Sequence, residues 1–173
     1  PHPGATYYGA DNYRAGLIGG NHLGRWAQEH WDGKVDEVLM MEQSAAGALP
    51  LSRLIGSVDG IIAVLPHVAH ARIVYLEGHG QFHASLAAVR KHLQLTTPGH
   101  TLIAAVNDPS AIGALRAFDE AGRTRDCAAV SQNASEEARE DMRRPGTRLI
   151  GSVAYFPENY GADIISLALD ILQ

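Results

Sequence analysis

Short apolar segments alternate with longer amphipathic segments along the whole chain. Five short runs are rich in Val, Ile, Leu and Ala and lack alternating polar positions; they are Val35–Met41, Arg72–Leu76, Thr101–Val106, Cys127–Ser131 and Leu149–Tyr155. Continuous apolar runs of this length are typical of strands buried on both faces of a parallel sheet. We therefore expect five buried strands, with the run Thr6–Ala10 either a sixth strand or a connector.

The intervening segments carry the spacing of helices with one apolar face. Apolar residues recur at intervals of three and four in the helices predicted over 51–62 and 82–93. Further helices are expected over 13–27, from Asp108 to Gly122, from Ser135 onwards and from Pro157 to Leu172, with Asp108 and Ser135 as N-caps. This alternation predicts an α/β fold, a doubly wound parallel sheet of about five strands with helices on both faces.

The composition narrows the class of protein. Hydrophobic residues make up 46% of the chain, which suits a folded domain, and a net charge of −5 without basic clusters argues against nucleic-acid binding. The single cysteine, Cys127, excludes an internal disulfide and is expected to be an inert core thiol. No apolar run approaches the length of a membrane span. The opening residues do not resemble a signal peptide, so we expect any export signal to have been removed or to lie upstream.

The carboxyl ends of the predicted strands are where open α/β sheets bind ligands. The segments that follow the strands are Glu42–Ser44, Glu77–Phe82, Asn107–Asp108 and Gln132–Asn133, and the last strand ends at Tyr155. They are rich in amides and aromatic rings, which suit sugar hydroxyls and the apolar faces of sugar rings, and poor in paired catalytic groups. This edge is therefore predicted to bind a ligand.

Each candidate residue also has a purely structural interpretation. Asp108 is favoured as a helix N-cap over a ligand contact. Asn107 either points into the crevice or ties down a loop, and Asn133 is either a turn residue or a ligand contact. Phe82 begins an apolar helical stripe and is favoured as a core residue over a stacking residue. Arg53 is either a solvated charge or a planar fork aimed at hydroxyls or a carboxylate.

Catalytic and metal-binding signatures are not evident in the sequence. The nucleophile-elbow and phosphate-loop motifs do not occur, and the best nucleophile–base candidate is Ser44 with His79. His67 with His70, and His79 with His83, are three and four residues apart but have no evident third metal ligand. We predict no enzymatic activity, no cofactor and no metal site.

Five segments carry a family resemblance, and they occur in the family's order. They are Tyr8–Gly16, Arg53–Gly56, Asn107–Leu115, Val130–Asn133 and Ser152–Pro157; the most specific reads Asn-Asp-Pro-Ser-Ala-Ile-Gly-Ala-Leu. Together they resemble the sugar-binding periplasmic proteins of ribose type. These proteins have the type I periplasmic binding protein fold, which they share with the effector domains of lac-repressor-like regulators.

The resemblance implies two lobes that trap a ligand between them, of which this chain supplies one. Residues 1–155 are expected to form the C-terminal lobe, and residues 156–173 a hinge-return helix that packs on an N-terminal lobe preceding Pro1. By the same resemblance, Arg53 and Asn107 would hydrogen-bond a sugar and Phe82 would stack on it. Asn133 and Tyr155 also fall at ligand positions, where the family commonly has Asp and ribose-type proteins have an amide.

The function that the resemblance implies is non-catalytic. A monosaccharide or related polyol would be captured by hinge closure and presented to the membrane permease of an ABC transporter, outside the cytoplasm. The alternative is a cytoplasmic effector-binding domain of a transcriptional regulator. In the isolated lobe, the apolar face of the last helix could form a homodimer.

Overall fold

The predicted strands form one sheet in which every neighbouring pair runs parallel. The computed structural model of the protein describes residues 8–97 and 99–172. The strands are β1 (Glu37–Glu42), β2 (Arg72–Glu77), β3 (Thr101–Ala105), β4 (Cys127–Gln132) and β5 (Leu149–Val153), and their order in the sheet is β2-β1-β3-β4-β5. β2 lies on one side of β1, whereas β3, β4 and β5 follow on the other side. This change in strand order places a crevice beyond the carboxyl ends of β1 and β3.

Within the described part of the chain, six α-helices surround the sheet. They are α1 (Asn12–Trp31), α2 (Ala48–Val64), α3 (Phe82–Leu95), α4 (Asp108–Glu120), α5 (Glu136–Met142) and α6 (Tyr160–Leu172). Helices α1 and α2 bury one sheet face, whereas α3, α4 and α5 bury the other. The α/β fold with helices on both faces is confirmed.

The inner strands are apolar throughout because both of their faces are covered. In β1, Val38 and Met40 pack beneath α1 and α2, while Leu39 and Met41 pack on the opposite face. All four side chains are almost completely buried. Burial of a large aliphatic side chain stabilises the fold by about 1.5–3 kcal/mol, so these central strands anchor the domain.

Two strand predictions need correction. β2 is not buried on both faces: it has one neighbouring strand, its side chains are exposed or half-buried, and Tyr75 is 47% exposed. β5 ends at Val153, so Tyr155 lies in the loop beyond it. Residues 8–10 of the predicted sixth strand form no strand, and Thr6 and Tyr7 lie outside the described residues.

Helices α1 and α2 approach each other closely enough to bring their backbones into contact. Gly16 lies against the carbonyl group of Arg53, and Gly20 lies against that of Ser57; a Cβ atom at either glycine would clash with the oxygen. Gly56 makes the same kind of contact with the carbonyl of Tyr13. Residues without a side chain therefore set the position of α2, and with it that of Arg53.

The N-cap of α4 differs from the prediction. Asn107, not Asp108, caps the helix, because the side-chain oxygen of Asn107 accepts the N–H of Ser110 at 3.1 Å. Asp108 is completely buried and accepts hydrogen bonds from the hydroxyls of Ser131 and Ser152, at 2.5 and 2.6 Å. It thereby ties α4 to β4 and β5. Ser135 caps α5 as predicted, and Gly122 follows α4 with a positive φ of 70°.

The last helix stands apart from the core. A short 3-10 turn over Pro157–Asn159 precedes α6, so the regular helix begins three residues later than Pro157. Among its apolar side chains, Ile164, Ile165, Leu169, Ile171 and Leu172 are between 47 and 83% exposed. Its ties to the rest of the described chain include the hydroxyl of Tyr8, which donates to Asp163 at 2.6 Å. Within residues 8–97 and 99–172, no helix is both long and apolar enough to cross a membrane.

Candidate functional site

A pocket of about 380 Å³ opens at the carboxyl-end edge of the sheet. It brings together Arg53, Asn133 and Tyr155, three of the five residues predicted to bind a ligand. Its other lining residues come from the entry to α1, from the turn before α6 and from the first residue of α6; they are Gly9, Ala10, Asn12, Pro157 and Tyr160. Segments far apart in sequence therefore converge on one cavity.

Arg53 is held by its neighbours in a fixed orientation. Its Nε donates to the side-chain oxygen of Asn12 at 2.6 Å, and its Nη1 donates to the carbonyl oxygen of Val106 at 2.8 Å. The guanidinium carbon lies 5.1 Å from the centroid of the Tyr155 ring, a cation–π contact. A guanidinium has five N–H donors, so three remain beyond the two that make these bonds.

Tyr155 forms a second wall of the pocket. Its hydroxyl donates to the side-chain oxygen of Gln132 at 2.6 Å, which fixes the ring at the end of β4. Gln132 is almost completely buried, so this bond also satisfies a polar atom inside the fold. One face of the ring is turned towards the Arg53 guanidinium.

Asn133 occupies a conformation that few residue types adopt. Its φ is +105°, a region where Asn and Asp are several-fold enriched over other non-glycine residues. Its N–H donates to the carbonyl oxygen of Val153 at 2.9 Å, which joins the ends of β4 and β5. The residue is exposed and lines the pocket, so its amide is accessible to a ligand.

The structure does not place Asn107 and Phe82 in this pocket. The Asn107 side-chain nitrogen donates to the carbonyl oxygen of Gly80 at 2.9 Å, in addition to the cap on α4, so this amide ties down the β2–α3 loop. Phe82 is half-buried, and its side chain packs on the core beneath α3 and α4. Both stand at the same sheet edge as the pocket, and their roles as ligand contacts stay predictions.

Asn12 was not predicted as a site residue. Its spacing from Arg53 in the sequence gives no signal that the two side chains meet. The contact depends on the close packing of α1 on α2, which glycines such as Gly16 and Gly20 permit. Tyr160 was missed because the first residues of α6 read as part of an apolar helix.

A carboxylate, Glu77, organises the neighbouring loop. Burial opposes its ionisation, yet hydrogen bonds from the hydroxyl and N–H of Ser44 and from the N–H of His79 lower its pKa below the usual value. The Ser44 hydroxyl is thus donated to Glu77 at 2.5 Å, and the ring of His79 also faces Glu77, at 3.3 Å. Ser44 and His79 therefore both bond to Glu77, which differs from the serine–histidine pair of a catalytic triad.

The pocket has a simple charge pattern. Among the described residues that line the pocket, Arg53 carries a charge and the others are neutral. No carboxylate of the described residues forms an ion pair with Arg53. The residues outside the described ranges include no Asp or Glu. The described residues contain no group of three or more His, Cys, Asp or Glu side chains that could hold a metal ion.

Comparison with known proteins decides the family. The periplasmic binding protein domain matches residues 1–173, which is the entire chain. The chain belongs to this family. None of the curated proteins compared with the chain matches it.

Solved structures show the same fold. An ABC transporter solute-binding protein from Actinobacillus succinogenes with bound D-allose has a TM-score of 0.76 and 22% identity, over 95% of this chain and 54% of that one. A solute-binding protein from Burkholderia multivorans also has a TM-score of 0.76, with 18% identity and the same coverage. The fructose-binding periplasmic domain of a hybrid two-component system has a TM-score of 0.69 and 22% identity, over 96% of this chain and 52% of that one.

The share of each solved structure that the chain covers shows how much of the fold is present. It spans about half the length of each of the three structures. The fold is therefore one lobe of a type I periplasmic binding protein, as the sequence resemblance implied. The sheet order and the pocket at the carboxyl-end edge belong to that lobe.

Proposed function

We propose that this chain is the C-terminal lobe of a two-lobed, extracytoplasmic sugar receptor that delivers its ligand to the permease of an ABC transporter. The observation that carries the proposal is the convergence of Arg53, Asn133 and Tyr155 on one open pocket at the ligand-binding edge of the sheet. Membership of the periplasmic binding protein family supports solute binding as the class of function.

The chemistry of the pocket suits a polyhydroxylated ligand. An amide both donates and accepts hydrogen bonds, a guanidinium donates several in one plane, and an aromatic ring covers the apolar face of a sugar. Asn133, Arg53 and Tyr155 supply one of each. In the proposed receptor, Asn107 and Phe82 join the site when the second lobe closes over this edge.

Closure would follow from the incompleteness of the site. This lobe contacts a ligand on one side only. In the closed receptor the ligand would contact both lobes, whereas in the open receptor it would contact one. The ligand would therefore shift the equilibrium towards the closed receptor. The isolated lobe should accordingly bind weakly. Delivery to a permease then depends on recognition of the closed form.

The exposed apolar helix fits this arrangement. We assign residues 1–155 to the C-terminal lobe and residues 156–173 to a hinge-return helix whose apolar side chains pack on the N-terminal lobe. Leu172 and Ile165, 83 and 64% exposed here, would be buried by that contact. In the isolated chain the same face would favour a homodimer, which size-exclusion chromatography coupled to light scattering would detect.

A thermal-shift screen of the whole gene product against monosaccharides and polyols tests the proposal. Binding to the folded state raises the unfolding temperature, and a ligand at 100 times its Kd contributes about 2.7 kcal/mol. Stabilisation by one group of sugars, with a smaller shift in Arg53→Ala, is expected. Stabilisation by none of them, or an undiminished shift in the variant, would contradict the proposal.

The regulator alternative lacks a specific supporting observation. The reported structural relatives are transport and two-component periplasmic proteins, and the visible pocket offers nothing that favours a DNA-binding partner. The family and its relatives are solute-binding proteins, and the Ser44–Glu77 bond removes the best candidate for a catalytic nucleophile–base pair.

A further inference from the structure

Among residues 8–97 and 99–172, the positive charge in the pocket has no negatively charged partner. Arg53 is half-buried, and its two hydrogen bonds to protein go to neutral oxygens, those of Asn12 and Val106. No described carboxylate forms an ion pair with it. A neutral ligand would leave this charge uncompensated within the lobe, whereas an anion would balance it.

From this we infer that the ligand is an acidic sugar, a sugar that carries one carboxylate, and that Arg53 and Asn133 select it. The inference rests on the proposed function and specifies its substrate class. The planar guanidinium matches the geometry of a carboxylate, and such charge-assisted hydrogen bonds are about twice as strong as neutral ones.

Asn133 contributes to this selection because its side chain carries no negative charge. The amide donates N–H bonds to a carboxylate, whereas an Asp at the same place would repel the anion and neutralise Arg53. The backbone does not exclude Asp, because Asp, like Asn, is enriched among non-glycine residues at positive φ. The amide at position 133 therefore keeps the pocket electropositive.

Within this lobe, the number of positive charges favours a carboxylate over a phosphate. A phosphate monoester carries a charge of about −1.5 to −2 near pH 7. The pocket offers one guanidinium, and its remaining lining residues are Gly, Ala, Asn, Tyr and Pro. One unit of positive charge balances one carboxylate.

Matched ligand pairs provide the test. The whole gene product is titrated by calorimetry with D-galactose and D-galacturonate, D-glucose and D-gluconate, and D-ribose and D-ribonate, together with glucose 6-phosphate. We expect the acid of at least one pair to bind tenfold or more tightly than its neutral partner and than the phosphate. Raising the salt concentration should narrow that difference.

The variant Asn133→Asp separates charge selection from shape. This variant should bind the acid at least tenfold more weakly than the unmodified protein does. The neutral sugar should then bind to the variant as tightly as the acid, or more tightly. The control Asn159→Asp adds the same charge at an exposed residue that does not line the pocket. It should leave the ratio of acid affinity to neutral-sugar affinity unchanged. If Asn133→Asp does not fold, the ratio of acid affinity to neutral-sugar affinity in the unmodified protein still tests the inference.

The other outcomes distinguish two failures. Tighter binding of neutral sugars, or of the phosphate, overturns the acidic-sugar inference and leaves the receptor function intact. An acid preference that Asn133→Asp does not change overturns the role of residue 133. Binding of no probe by a folded protein counts against both the inference and the proposed receptor.

Discussion

Arg53 donates from Nη1 to the carbonyl oxygen of Val106 at 2.8 Å, which joins helix α2 to the residue that follows strand β3. The same guanidinium donates from Nε to Asn12 at the start of α1. The start of α1 and the residue after β3 therefore hold one positive charge carried by α2, and this charge also contacts the ring of Tyr155, 5.1 Å from its centroid. A charge held in this way needs little reordering when a ligand arrives, which favours affinity.

Asn12 is expected to act through Arg53. Replacing Asn12 with Ala removes one charge-assisted hydrogen bond, and we expect ligand affinity to fall about tenfold, or ~1.4 kcal/mol. In the Arg53→Ala background the same change should have almost no effect, because its partner is gone. Calorimetric titration of the two single variants and the double variant measures this coupling. Additive losses would show that Asn12 acts independently of Arg53.

The glycine contacts between α1 and α2 predict a stability difference between two similar substitutions. Gly16→Ala places a Cβ against the Arg53 carbonyl, and forcing the helices apart should lower the free energy of unfolding by ~1–3 kcal/mol. Gly19→Ala, in the same helix, meets only side chains, at 3.5 Å or more, and should stabilise the helix by up to ~1 kcal/mol. Urea unfolding of both variants is the measurement. Equal stabilities would refute the backbone contact.

Phe82 has a predicted role in the ligand site and an observed role in the core. Phe82→Leu retains apolar volume, so the free energy of unfolding should change by less than ~1.5 kcal/mol, whereas ligand affinity should fall because the stacking ring is lost. Melting temperature and calorimetric affinity are measured on the same preparation. A large stability loss with unchanged affinity would restrict Phe82 to the core.

Cys127 should make stability fall at alkaline pH. Burial in β4 raises the pKa of its thiol to about 12, above the value of about 8.5 in an unfolded chain. Between these values the unfolded state releases a proton that the folded state retains, so stability decreases by up to ~1.4 kcal/mol per pH unit as pH rises. Urea unfolding at pH 8 and pH 10 should show this loss in the natural protein, with a smaller loss in Cys127→Ala. Identical losses would exclude the thiol as the cause.

The strands and most helices follow from local patterns in the sequence. Runs such as Thr101–Val106 are apolar because helices cover both sheet faces, and the spacing of Phe82, Leu86 and Val89 reflects one face of α3. The run Arg72–Leu76 is equally apolar, yet β2 is an edge strand. Strand order is a property of the whole sheet, so a single run does not reveal it.

Part of the candidate site could be predicted from the ends of the strands, which give Asn133 and Tyr155, and from the family resemblance, which gives Arg53. Arg53, Asn133 and Tyr155 meet because the ends of parallel strands and the helix openings share one edge. The partners of polar side chains were not predictable in this way. Asp108 and Asn107 are both good N-caps, and only the positions of Ser131 and Ser152 decide that Asp108 turns inwards.

The central claim is that the pocket around Arg53 is the ligand-binding face of a sugar receptor. Its most direct test is calorimetric titration of the whole gene product and of Arg53→Ala with the ligand that gives the largest thermal shift. Removing the guanidinium should weaken binding by ~1.5–3 kcal/mol, or about 10- to 150-fold, while the variant stays folded. Unchanged affinity in a folded Arg53→Ala variant would contradict the claim.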